Sequence, residues 1–415
     1  MSIAPYSETP YANTASGRDA ILKKNPDDVV IVSATRTAMT KGGKGGFKDT
    51  YPEEYLAAVL REVYERVGLD PKLIEDIAIG TVCPPGGGAN SARMAGFAAG
   101  IPYTAALNTI NRQCSSGLAA TQQIANEIQN GAIDIGISGG FESMSMFYGN
   151  GMFPKGWSEK VLQDEGAQNC LVPMGITSEN VAKKFGISRV DQDKFGANSF
   201  AKAAKAQKEG LFKDEITPVT VKWVDPKTKE EKQVVVDADD GIRPTSYETL
   251  AKLKPAFAAD GCTTAGTSSQ VSDGAAAILL ARRSVANKLK LPIIGKFVGA
   301  KSVGVPPEIM GIGPAVAIPA VLKKSGLQIK DIDIFEINEA FASQAVYCVR
   351  TLGIDEKRVN PQGGAIAIGH PLGVTGARQI VTALARAKKT GEKFIVTSMC
   401  IGSGLGMASV IVSEQ

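Results

Sequence analysis

"NRQCSSG" (residues 111–117) and "HPLGVTG" (residues 370–376) fall into register when 259 is added to the first set of numbers, so that Asn111 lies over His370 and Cys114 over Gly373. Each segment opens a helical pattern, and each helix runs on into a strand pattern, "AIDIGISGG" (132–140) after the first and "EKFIVTSMC" (392–400) after the second. The same correspondence extends upstream. "DVVIVSATR" (28–36), the helical "YPEEYLAAVLREVYERVG" (51–68) with its glycine stop, and "IEDIAIGTV" (74–82) are echoed later. The echoes are "LPIIGKFVGAKSVG" (291–304), the helical "PAVAIPAVLKKSG" (314–326) and "DIDIFEIN" (331–338). Strands alternating with helices predict a layered α/β fold. A period this long is no solenoid repeat and points to two duplicated halves packed together.

Between the halves lies material of another kind. Helical "SENVAKKF" and "SRVDQDKFGANSFAKAAKAQKEG" are followed by the charged "VKWVDPKTKEEKQVVVDADDG", and Ser188 with Asp191 has the spacing of a capping box. The expected organisation is a flexible arm over 1–27, an N-terminal half over 28–146, an inserted domain over 147–275 placed to cover a site, and a C-terminal half over 276–415.

A chain of 415 residues exceeds what one hydrophobic core usually serves, about 250–300 residues. The 44% apolar and 21% charged composition is that of an ordinary globular protein. A formal charge of +4 without a basic block argues against a nucleic-acid groove and still suits an anionic metabolite. Six cysteines at 83, 114, 170, 262, 348 and 400 show no CxxC or zinc spacing, so no metal site is expected and reduced thiols are. No apolar run reaches the roughly 18 residues of a membrane span. "KGGKGGF" (41–47) lacks both the GxGxxG spacing and the Walker ending and reads as a turn.

Chemistry concentrates in a few places. His370 is the only histidine, set among glycines where it has little packing to do, although a solitary histidine is more often a packed or surface residue. Cys114 starts a helix, where unpaired N–H groups favour a thiolate; the plainer alternative is a small buried cysteine, weakened by its neighbours Gln113, Ser115 and Ser116. Cys400 ends a strand and runs into glycines whose backbone can approach a ligand. "FEINEAFASQAV" puts Glu336, Asn338 and Glu339 after an apolar strand, at the end where α/β sheets bind ligands, with helix capping by Asn338 as the ordinary alternative. If the duplicated halves face one cleft, two thiols, an imidazole, a carboxamide and glycine N–H groups converge, which suits acyl transfer through a thioester.

The motifs "NRQCSSGL", "RPTSYETLAKLKPAF", "TTAGTSSQVSDGAAAILLARRS", "PPEIMGIGP", "EINEAFA", "NPQGGAIAIGHPLGVTGAR" and "SMCIGSGLG", in this order and covering nearly everything after residue 27, resemble the thiolase family. Within it they look most like the degradative 3-ketoacyl-CoA thiolases of eukaryotic peroxisomes. The resemblance implies a duplicated five-layered α/β/α/β/α fold with a coenzyme A-binding loop domain. It also implies CoA as a substrate, with no permanently bound cofactor. Cys114 would attack the 3-keto carbonyl with help from His370. Cys400 would protonate the departing acetyl-CoA carbanion and then deprotonate incoming CoA. One oxyanion site would be His370 with a water held by Asn338, the other the N–H groups of Cys114 and Gly402. For CoA and the acyl chain the motifs nominate Arg243, Thr249, Leu253, Phe257, Ala265, Ser269, Met310 and Phe341.

Two departures from the family pattern stand out: Val374 where a cysteine is usual, and Thr267 where an asparagine is. Rival readings are a biosynthetic acetoacetyl-CoA thiolase and a non-catalytic acyl-CoA or lipid-binding relative; retention of both Cys114 and Cys400 argues against the latter. A decarboxylating condensing enzyme with two histidines is excluded by the single His370. The resemblance further implies a homodimer or a tetramer of dimers, and a peroxisomal location. Cytosol is the alternative, because the amino terminus lacks the second type of peroxisomal signal and the chain ends in "SEQ".

Overall fold

The computed structural model describes residues 16–149, 152 and 154–415. Its strands are β1 (Val29–Arg36), β2 (Thr40–Lys41), β3 (Asp76–Gly80), β4 (Ala106–Ile110), β5 (Ile135–Ser143), β6 (Val219–Val224), β7 (Glu231–Val236), β8 (Ser272–Arg282), β9 (Gly295–Gly304), β10 (Ile334–Ile337), β11 (Phe394–Ile401) and β12 (Leu405–Ser413). The helices that matter below are α1 (Arg18–Leu22), α2 (Pro52–Glu65), α3 (Ala89–Ala98), α4 (Ser116–Asn130), α5 (Met174–Phe185), α6 (Arg189–Lys208), α7 (Gly313–Ser325), α8 (Ala342–Leu352) and α9 (Thr375–Thr390).

The two halves repeat one topology. In the first, β4, β3 and β5 run parallel and β8 and β1 follow antiparallel; in the second, β10 and β11 run parallel and β12 and β9 follow antiparallel. A short pairing of Val30 with Lys296 and Ile31 with Gly295 joins β1 to β9. Strands β1, β5 and β11 are buried at every position, as sheets covered on both faces require. Helices α2 and α3 cover the first sheet outside, α7 and α8 cover the second, and α4 packs against α9 between them. This is the five-layered arrangement that the family resemblance implies.

The middle layer explains the register. A Cβ at Gly117 would lie 2.7 Å from the Gly373 carbonyl oxygen, and one at Gly376 would lie 2.5 Å from the Leu118 nitrogen. Gly117 and Gly376 are repeat partners, and both are glycine because the two helices begin by crossing backbone against backbone. That crossing sets the first residues of α4 and α9, the segments carrying Cys114 and His370, side by side.

The inserted segment leaves β5 and returns at β8. It contains α5, α6 and the β6–β7 hairpin, and the capping box at Ser188 and Asp191 starts α6 as its sequence spacing requires. Arg36 of β1 holds this insertion. Its guanidinium is fully buried, donating to Glu215 at 2.6 Å and to both Asp239 oxygens at 2.7 and 2.9 Å.

Two boundaries differ from expectation. β8 contains residue 276, assigned from sequence to the C-terminal half, yet it pairs with β1 and β5 in the first sheet; which sheet accepts an apolar strand depends on partners far away in sequence. The arm expected over 1–27 is ordered in its described part. Gly17 N–H donates to Ser325 O at 2.8 Å, the Arg18 guanidinium lies 4.8 Å from the Phe394 ring centre, and Ile21 is 1% exposed in the core of the second half. Residues 1–15 of that arm lie outside the described residues.

Candidate active site

Cys114 occupies the 3-10 turn Gln113–Ser115 that leads into α4. Gln113 takes φ +48°, a conformation unusual for a side-chain-bearing residue. It is held from both sides, by Asn111 Oδ1 accepting its N–H at 3.0 Å and by its own Nε2 donating to Ser403 Oγ at 3.3 Å. A Cβ at 402 would overlap the end of the Gln113 side chain, so glycine there leaves Gln113 free to hold its bond to Ser403. The N–H groups of Gly402 and of Cys114 itself act on the Cys114 sulfur.

Cys114 is 8% exposed, and burial is the largest influence on its thiol. Despite the two N–H groups, the thiol is pushed up to about 11. This corrects the expectation drawn from the helix start: desolvation outweighs the helix terminus, and burial favours Cys114 as a thiol. Alkylation of Cys114 by iodoacetamide, followed on the labelled peptide, is therefore expected to accelerate about tenfold per pH unit from pH 7 to about 10. A plateau below pH 9 would show instead a preformed thiolate–imidazolium pair.

His370 precedes α9, its backbone N–H donating to Gln270 O at 3.1 Å. The ring is clamped at both nitrogens, Nδ1 being 2.6 Å from Thr375 Oγ1 and Nε2 3.3 Å from Asn338 Nδ2. Burial first, and then Arg378, pull its titration down to about 3, so the imidazole is neutral at physiological pH and able to accept a proton. Asn338 is buried at the end of β10, its N–H bonded to Ser398 O at 2.8 Å, and its Oδ1 has no partner among the described residues. It does not cap α8, whose preceding residue is Phe341.

Cys400 lies near the end of β11, fully buried, its thiol held up by burial and then by Cys114 and Cys348. It donates to Gln344 Oε1 at 2.9 Å, and Gln344 Nε2 donates to Asn338 O at 3.1 Å. Cys114, His370, Cys400, Asn338 and Gly402 thus belong to one buried cluster of strand ends and helix starts from the two halves. Glu336 and Glu339 instead support it. Glu336 pairs with Arg378 at 3.0 Å, and Glu339 accepts from Ser199 Oγ, Asn360 Nδ2 and the Ile366 N–H, bracing the loop that leads to His370.

The residues nominated for CoA divide into a rim and a throat. Arg243, Thr249, Leu253, Phe257 and Ala265 are exposed on the insertion, Arg243 stacking 4.8 Å over Phe200. Met310 and Phe341 are buried in one cluster with Cys400. The two groups meet where Phe257 packs edge-on against Phe341 at 5.8 Å and where the Ser269 N–H donates to Ala340 O at 2.9 Å. Thr267 closes the turn between Ala265 and Ser269, its Oγ1 accepting the Thr264 N–H at 2.9 Å, and Val374 is buried in the main core.

Sequence reasoning passed over Gln344, Thr375 and Glu142. The first two lie inside stretches already singled out, but a glutamine eight residues beyond Glu336 and a threonine at a helix start carry no signal of their own. Glu142 is fully buried and accepts the N–H groups of Val82, Cys83 and Gly373 at 3.1, 2.9 and 2.8 Å, tying the loop after β3 to the loop of His370. Burial raises its carboxyl to about 7.

Comparison with known proteins gives a consistent result. Residues 29–284 match the thiolase N-terminal domain and residues 291–413 the thiolase C-terminal domain. The chain is 57% identical to the peroxisomal 3-ketoacyl-CoA thiolase of Yarrowia lipolytica, over 97% of each protein. It superposes on the dimeric peroxisomal thiolase of Saccharomyces cerevisiae with a TM-score of 0.89 and 51% identity, covering 96% of this chain and 100% of the other. A second structure of peroxisomal 3-ketoacyl-CoA thiolase from the same yeast, described as five-layered with two core domains of identical topology, gives 0.78 and 47%, covering 95% of this chain and 100% of that one.

Proposed function

The chain belongs to the thiolase family, and from that premise we propose that its buried cluster performs thiolysis, cutting a 3-ketoacyl-CoA with CoA into acetyl-CoA and an acyl-CoA two carbons shorter, as in fatty-acid β-oxidation. The observation that carries the reading is the convergence on one cleft of Cys114, with two N–H groups against its sulfur, and the linked group Cys400, Gln344, Asn338 and His370.

Cys114 sulfur attacks the 3-keto carbon as its proton passes to neutral His370. The N–H groups of Cys114 and Gly402 receive the oxyanion of the tetrahedral intermediate, a charge they are placed to stabilise without reorganisation. The Cα–Cβ bond then breaks, leaving the acyl group on Cys114 and the two-carbon fragment as an enolate, whose oxygen is met by His370 and by a water accepted at Asn338 Oδ1. Asn338 Nδ2 donates to Nε2 of the neutral ring and Nδ1–H donates to Thr375 Oγ1, so Nε2 is the nitrogen that takes the Cys114 proton and then offers it to the enolate oxygen. Cys400 gives its proton to the enolate carbon. The Cys400 thiolate next takes the proton of incoming CoA, whose sulfur removes the acyl group from Cys114, and the Cys114 thiolate so released recovers its proton from His370.

Arg243, Thr249, Leu253, Phe257, Ala265 and Ser269 hold CoA at the rim, with Met310 and Phe341 along the pantetheine or acyl path. CoA is substrate, and the chemistry needs no resident metal. The active unit is a homodimer and the location peroxisomal, as the dimeric yeast relative and the peroxisomal relatives support.

The test is CoA-dependent loss of the 3-ketoacyl-CoA enolate absorbance with acetoacetyl-CoA and with a medium-chain substrate. Cleavage of both, faster on the longer, is the expected result. Cleavage confined to acetoacetyl-CoA would favour the biosynthetic role, and binding of both without cleavage would leave an acyl-CoA-binding protein.

A further inference from the structure

Gln344 lies on α8, fully buried, and none of the chemistry above gives it a reacting role. The stem of its side chain is held close: a Cβ at Gly311 would lie 2.6 Å from Gln344 Cβ, so the glycine lets the neighbouring segment press against it. The carboxamide makes two bonds. Its atom nearest Asn338 O is 3.1 Å away, and its atom nearest Cys400 Sγ is 2.9 Å away.

The orientation of that amide follows from chemistry. A backbone carbonyl can only accept, so the atom facing Asn338 O must be the NH2 nitrogen. The atom facing Cys400 is then necessarily the carbonyl oxygen, which cannot donate to a thiolate. Turning the amide over would set its oxygen against the Asn338 carbonyl and leave both buried acceptors unpaired, a costly arrangement away from water.

We propose that Gln344 is the positioning residue for Cys400, its locked carboxamide aiming an acceptor at the sulfur so that Cys400 enters each cycle carrying its proton. The proposal rests on the reading of Cys400 as acid and base. The enolate carbon takes the proton from Cys400, the S–H bond breaking as the C–H bond forms. The resulting thiolate faces the lone pairs of the Gln344 oxygen and has no donor there. That makes it a stronger base toward the S–H of CoA, and proton transfer from CoA restores the Cys400–Gln344 bond. The ionisable groups acting on Cys400 are Cys114 and Cys348, thiols that burial also keeps protonated. His370 touches Asn338, whose carbonyl accepts from Gln344.

The experiment follows exchange of the acetyl-CoA methyl protons with deuterated water against pH. It uses the full chain in a Cys114→Ala background, where no acyl-enzyme forms and Cys400 is the exchanging base. Gln344→Met removes both bonds at nearly equal volume, and the pH at which exchange rises is expected to fall by about one unit, a tenfold change in thiolate fraction at fixed pH. Gln344→Glu keeps an acceptor against the sulfur, so its rise stays in place or moves up. With Cys114 intact, Gln344→Met is expected to lower kcat for thiolysis at least tenfold with KM within about twofold.

A rise unmoved in Gln344→Met, or moved down equally in both variants, would overturn the proposal and leave Gln344 a packing residue. If Gln344→Met does not fold, a downward movement in Gln344→Glu is the contrary result and an unmoved or upward one the supporting result. A Cys400→Ala control that exchanges as fast as its parent would instead remove the premise that Cys400 is the base.

Discussion

Cys114→Ala is expected to lower kcat for thiolysis by about 10⁴-fold or more, because removing the nucleophile of a covalent mechanism removes the intermediate itself and leaves only binding and oxyanion stabilisation. The loss is read as the absence of CoA-dependent decay of enolate absorbance at enzyme concentrations where the parent finishes in seconds. Binding of CoA is expected to stay within a few-fold, since the rim residues Arg243, Leu253 and Phe257 lie on the insertion and not on the turn of Cys114. The fold is expected to survive, as exchanging a thiol for a hydrogen in the turn before α4 removes little buried volume. Activity within a hundredfold of the parent would contradict Cys114 as nucleophile and direct attention to Cys400. Cys114→Ser separates geometry from nucleophilicity. Its hydroxyl fits the same turn but titrates far above the thiol, so activity near the alanine variant is expected.

Arg36→Ala carries the largest expected cost in stability. Its guanidinium is the shared partner of Glu215 and Asp239, all three buried. Removing one member of a buried charge cluster leaves the others desolvated and unpaired, worth about 3–5 kcal/mol. The effect falls on the attachment of the insertion to the first sheet, because Arg36 belongs to β1 while Glu215 and Asp239 flank the β6–β7 hairpin. Urea denaturation of wild type and variant at pH 7 measures it, and a difference under about 1 kcal/mol would show that water reaches the vacated charges.

The sign of its pH dependence follows. Burial already raises the Glu215 carboxyl, with Arg36 opposing that rise. Without Arg36 the folded-state carboxyl sits still further above its unfolded value, so lowering the pH protonates it in place and narrows the gap between variant and wild type. Arg36→Lys is expected to fall between the two, since one ammonium cannot bond both Asp239 oxygens and Glu215 in a plane as the guanidinium does.

The Cys114 and Arg36 cases mark opposite ends of what was legible. Cys114 could be nominated because a cysteine among Gln113, Ser115 and Ser116 at a helix start is locally odd. Arg36 ends the apolar run of β1 and reads as an ordinary surface cation; its partners stand 179 and 203 residues away. Gln344 is similar, a polar residue inside a helix whose purpose appears only when β11 brings Cys400 to it. The strand β8 was misassigned for the same reason, its apolar pattern naming no sheet.

The sequence by itself determined the α/β class and the family, and it nominated the 259-residue register, an inserted domain, and Cys114, His370, Cys400 and Asn338 as the reacting set. Each of these is written in local pattern, in spacing or in motifs that resemble a family. Only the tertiary structure decided which sheet β8 joins, what holds the insertion, which way the Gln344 amide faces, and that burial favours Cys114 as a thiol and His370 as a neutral ring. Those depend on burial and on partners distant along the chain, and desolvation acts on a charge only after the whole fold has closed around it.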